Sequence, residues 1–139
     1  MATQVAGRHV TLDGAQAVID AAKRKAEEIG VPMNIAVVDD GNNLVSFARM
    51  DTAWLGSIDI AQGKAYTARA FDMPTRDLGP LSQPGQPLFG IHASNQGKLI
   101  IFPGGIPLSA EGMVVGAVGV SGGSVDQDQL VAEAGAAAF

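Results

Sequence analysis

A short, largely apolar strand, Met33 to Val38, closes on Asp39, and Asp40-Gly41-Asn42-Asn43 separates it from a second strand-like run, Leu44 to Met50. Turn residues that tolerate positive φ, placed between two such runs, specify a β-hairpin. A hairpin commits the chain to antiparallel pairing, because parallel neighbours need a long crossover connection. Helical patterns flank it. Thr11 is placed to cap a helix from Leu12 to Ile29, with Leu12, Ala15, Val18, Ile19, Ala22, Ala26 and Ile29 on one arc, and Gly30 with Pro32 ends it. Ser57 to Phe71 reads as a second helix.

Further along, Met73-Pro74 breaks the chain and Thr75 is placed to cap a short helical turn through Leu78. Residues 79–96, with Pro80, Pro84, Pro87, Gly85 and Gly90, read as a long loop of the kind that carries function or subunit contacts. Leu99 to Phe102 and Ile106 to Leu108 read as strands around the Gly104-Gly105 turn. Met113 to Val120 reads as a long central strand, and Ser124 to Gln127 as a capping box that opens a final helix. Strands joined by tight turns, with helices before, between and after them, make an α+β domain. At 139 residues, one domain over 1–139 accounts for the whole sequence.

The formal net charge of −5, with few clustered cations, argues against nucleic acid as a partner. The absence of cysteine excludes disulfides, thiolate catalysis and cysteinyl metal sites. Met1 to Val10 holds no apolar run of signal-peptide length and no stretch approaches membrane-span length, so no membrane partner and a cytoplasmic location are expected.

Lys64 is the leading candidate for chemistry. At about 100° per residue, Ile58, Ile60, Ala61, Ala65, Ala68 and Phe71 fall on one arc, and Lys64 lies inside it. An ammonium on a core-facing stripe needs a partner, a pocket or a route for its tip to solvent. It is a catalytic or ligand-facing amine, a side chain whose tip snorkels to solvent, or one half of an ion pair, with Asp39 or Asp51 as the expected partner. Asp39, Arg49 and Asp51 at the hairpin ends form either a ligand-binding cluster or a structural ion-pair lattice. Gly104-Gly105 either turns the chain or lets a flat ligand approach the backbone. Gly119 to Ser124, with Ser121 inside it, lies at a strand-to-helix junction where free N–H groups can hold an anion, or simply makes the turn. Neither histidine has a second nitrogen ligand at a useful spacing, which argues against a zinc site. A single axial ligand to haem iron needs only one imidazole, and His92, in the long loop, is preferred over His9 for that metal role.

Taken together, Ile35-Ala-Val-Val-Asp39, Phe47-Ala-Arg-Met-Asp51, Ser57-Ile-Asp-Ile-Ala61, Lys64-Ala-Tyr-Thr-Ala68, Gly104-Gly105-Ile-Pro107 and Gly116-Ala-Val-Gly-Val-Ser-Gly122 resemble the GlcG/HbpS family, from the first helix to the last. The resemblance implies a profilin-like three-layer α/β/α domain with a five-stranded antiparallel sheet, assembled as a homo-oligomer that is often an octamer. It also implies haem binding, with haem degradation in some members. On that view His92 or His9 ligates iron and Arg49 or Lys64 pairs with a propionate. Two other functions stay open: an isomerase, lyase or hydrolase acting on an organic acid of a catabolic operon through Lys64, and a structural assembly module.

Overall fold

The structure is a computed structural model and describes residues 4–6 and 9–139. A two-stranded ribbon, β1 (Val5–Ala6) with β2 (His9–Val10), leads into α1 (Leu12–Ile29). The hairpin follows as β3 (Asn34–Asp39) and β4 (Leu44–Arg49), and then α2 (Gly56–Phe71) and the short α3 (Thr75–Leu81). After two 3-10 turns at Ile91–Ala93 and Asn95–Gly97 come β5 (Gly105–Ala110), β6 (Met113–Ser121) and α4 (Val125–Ala137).

Four strands pair antiparallel in the order β4-β3-β6-β5, and the β1-β2 ribbon stands apart from them. Alternation along the strands divides the core in two. Ile35, Val37, Val118 and Val120 face α1 and α4, packing with Val18, Ile19, Ala22, Val131 and Ala132. Ala36, Val38 and Ala117 face α2, packing with Ala61, Ala65 and Ala68. Helices therefore cover both faces, giving the expected three layers. The α2 side is built from small residues, so that helix sits close to the sheet. A Cβ on Gly119 would lie 2.0 Å from the Ala61 carbonyl oxygen and 2.5 Å from the Ala65 nitrogen.

Local signals placed the helix ends correctly. Thr11 accepts from the Gly14 N–H, Gly30 closes α1 at φ +71°, and the Ser124–Gln127 capping box is complete. Three expectations are corrected. Leu99–Phe102 is not a strand: the Ile100 N–H donates to Thr67 Oγ1, so this segment is tied to α2 by a side chain and not to the sheet by a ladder. Thr75 does not cap α3; its hydroxyl accepts from the Gly105 N–H instead, and Pro74 occupies the cap position. On α2 the buried arc is centred further round than the apolar pattern suggests, with Ser57 and Thr67 buried and Phe71 exposed.

Candidate functional site

Lys64 is fully buried between α2, β6 and α4. Its Nζ donates to the Val120 carbonyl and to Asp128 Oδ2, both at 2.8 Å, and lies 5.1 Å from the centroid of the Phe102 ring. Asp128, in the first turn of α4, uses its other oxygen to accept from the Gly123 N–H at 2.9 Å. Burial pulls Lys64 below its ordinary value while the Asp128 charge opposes the shift; burial likewise pushes Asp128 up while Lys64 opposes it. The partner is thus Asp128, and neither Asp39 nor Asp51.

Glycines make the room for this pair. A Cβ on Gly104 would stand 2.8 Å from Lys64 Nζ, and one on Gly105 would stand 2.4 Å from the Lys64 carbonyl oxygen. The Gly104 N–H donates to Gln129 and the Gly105 N–H to Thr75, so both are spent inside the protein. Ser121 is also internal, its hydroxyl donating to that of buried Ser57 at 3.1 Å. Lys64, Gly104 and Gly105 form one buried assembly that closes α2 and α4 onto the sheet, while Ser121 belongs to a second polar contact near the start of α2.

The hairpin residues separate. Asp39 accepts from the Gly41 and Asn43 N–H groups at 2.9 Å each, a side-chain turn that closes the hairpin. Arg49 pairs in register with Asn34, so Arg49 and Asp51 stand about 16 Å from Asp39 along the strand. There they line a shallow groove with Lys23 and Glu27. His92 is exposed on the first 3-10 turn. His9 is exposed too, but its Nδ1 is held by Asp40 Oδ1, and that ring holds the Asp40 carboxyl below its ordinary value. Among the described residues, no three His, Asp or Glu side chains converge as a metal site.

A cleft of about 390 Å³ opens along the outer part of α2. Val38 and Leu44 line one side, Lys98 and Ile100 the other, and Gln62 and Tyr66 of α2 the floor. Tyr66 lies beneath Lys98, whose Nζ is 5.2 Å from the ring centroid. This cleft is not legible in the sequence, because Lys98 and Tyr66 lie in segments brought together only by the fold. Asp128 was not legible as a partner, because a carboxylate in the first turn of a helix already has a local explanation in the helix dipole.

Residues 10–137 match the family described as haem degrading protein HbpS-like. The chain belongs to the HbpS-like family. This HbpS-like chain is 45% identical over 124 residues to an uncharacterized 15.0 kDa protein in the dhaT-dhaS intergenic region of Citrobacter freundii, covering 89% of this chain and 87% of that one. It is similar to Klebsiella pneumoniae protein ORFY at 41% identity and a TM-score of 0.93, over 100% and 96% of the two chains. It is also similar to the protein in the PduOC:Heme complex, at 34% identity and a TM-score of 0.91, over 94% and 95%. Among the described residues, no helix of the HbpS-like chain is long and apolar enough to cross a membrane.

Proposed function

We propose that this protein binds haem as a homo-oligomer, with His9 as the ligand to iron. The observation that carries the proposal is the His9–Asp40 pair. A metal-ligating imidazole usually gives its second ring nitrogen to a carboxylate, which fixes the ring and raises its basicity. Asp40 does this for Nδ1 and leaves Nε2 of an exposed ring directed outward for iron. Arg69, whose Nε donates to the Asp40 carbonyl at 2.8 Å, is a cation beside the same turn; its Nη1 pairs with Asp72 at 2.6 Å, so a propionate would share the guanidinium with that carboxylate. The similarity to the chain of the PduOC:Heme complex supports the choice of ligand.

The sequence favours His92 for iron, whereas the geometry favours His9, since among the described residues no hydrogen bond orients the His92 ring. Arg49 lies at the far end of the hairpin from Asp40, and Lys64 is sealed inside, so neither is placed to serve the same haem. Burial of Lys64 also removes the observation that supported an organic-acid enzyme built on its amine. Degradation of the bound haem is a further step of the same proposal, read out as loss of the Soret band with release of iron in the presence of a reductant and oxygen.

Titration with hemin tests the reading. The expected result is a shifted Soret band that His9→Ala abolishes and His92→Ala leaves in place. A spectrum that neither substitution alters rejects histidine ligation.

A further inference from the structure

The cleft on α2 is held open by both of its walls. On one side, Asn42 Nδ2 donates to the Tyr66 carbonyl at 3.2 Å and Arg69 Nε to the Asp40 carbonyl at 2.8 Å, tying the hairpin turn to the helix. On the other, the Ile100 N–H donates to Thr67 Oγ1 at 2.9 Å and the Tyr66 hydroxyl to Asn95 at 3.1 Å. Neither wall is free to collapse onto the other. A concavity that persists, with apolar walls and a few polar groups, is the usual form of a small-molecule site.

Its chemistry is unusual in being balanced. Of the described residues that line it, one carries a carboxylate, Asp59, and one an ammonium, Lys98; the walls between them are Val38, Leu44 and Ile100. A simple anion would satisfy Lys98 and leave Asp59 facing it. A simple cation would do the reverse. We infer that the cleft binds a small zwitterion, a free amino acid with an apolar side chain. Its carboxylate meets Lys98, its ammonium meets Asp59, and its side chain lies along the aliphatic wall. The volume of about 390 Å³ lies near the lower end of the usual range of ligand pockets, which suits a ligand of this size. None of these groups is invoked in haem ligation, so the inference stands apart from that proposal.

Calorimetric titration of haem-free protein tests it with three probes: leucine, 4-methylpentanoate, which lacks the ammonium, and 3-methylbutylamine, which lacks the carboxylate. Leucine is expected to give a saturable heat, and the two half-charged analogues to bind at least about tenfold more weakly, a difference of about 1.4 kcal/mol. Lys98→Met and Asp59→Asn are each expected to weaken leucine by a similar factor, and Lys98→Arg to retain binding. Both side chains are exposed, and matching thermal melts confirm that the variants fold. Absence of saturable heat with leucine at about 10 mM overturns the inference. So does an analogue that binds as tightly as leucine, or a Lys98→Met protein that binds it unchanged.

Discussion

Lys64 shows how a buried charge can be held without a function in solvent. Its ammonium has two oxygen acceptors and an aromatic face, and its carboxylate partner is itself fixed by a backbone N–H. Removing one member of such a pair leaves the other buried and uncompensated, which costs about 3–5 kcal/mol. Lys64→Met is therefore expected to lower unfolding free energy by that amount in urea titrations, and Lys64→Met with Asp128→Leu to recover more than half of the loss. Equal losses in the single and double variants would show that the pair is not the cause. The titration of the pair gives a second test. Asp128 is raised above 3.8, so between that value and its folded value the native state holds more protons than the unfolded chain, and stability falls as pH rises. Lys64 is depressed below 10.5, so between its folded value and 10.5 the unfolded chain holds more protons, and stability rises with pH. Urea melts at successive pH values should show the acidic decline in the wild type and not in Asp128→Asn. That Lys64 needed a partner was legible from helical periodicity alone. The identity of Asp128 was not, because it lies 64 residues away and is brought near only by docking of α4.

At the level of elements, the parts that formed as expected are those governed by neighbours in sequence. The hairpin, α1 and α4 each carry their own turn or cap chemistry, and each appears with nearly the expected limits. Leu99–Phe102 is apolar enough for a strand, but its pairing was decided by distant groups. The Ile100 N–H goes to Thr67, and the Ile101 carbonyl lies so close to α3 that a Cβ on Gly79 would stand 2.5 Å from it. The same closeness governs α2 on the sheet, and there two effects oppose each other. Alanine in place of a strand glycine is favoured by backbone entropy, by about 0.5–1 kcal/mol. At Gly119, however, the new methyl would meet backbone atoms of α2 at 2.0 and 2.5 Å, and overpacking of this kind costs about 1–3 kcal/mol. The clash is with backbone and cannot be relieved by a rotamer, so it is expected to dominate. Gly119→Ala should lower the melting temperature by several degrees, and an unchanged or raised value would mean that α2 lifts freely.

The accessible surface of the whole chain, 6843 Å², is close to the ~6,800 Å² expected for a compact monomer of its mass. Its exposed aromatics are therefore not the result of a loose fold. Trp54 and Leu55 are 66% and 72% exposed and adjacent, at the entry to α2. The backbone holds them there: the Trp54 carbonyl accepts from the side chain of buried Asn34 and from the Ser57 N–H. Two large apolar side chains fixed outward on an ordered loop suit the proposed assembly, since covering them gains roughly 1.5–3 kcal/mol for each residue of this size. β5 is a poor edge for continuing the sheet into another copy, because Pro107 lies in the middle of it, so contacts between copies are expected to rest on side chains at this position. Native mass spectrometry of Trp54→Ser with Leu55→Ser is expected to show smaller assemblies than the wild type, while thermal melts at low protein concentration stay within a few degrees of it. Assemblies of unchanged mass would remove this loop from the interface, and a wild type that is monomeric at every concentration would remove the interface itself.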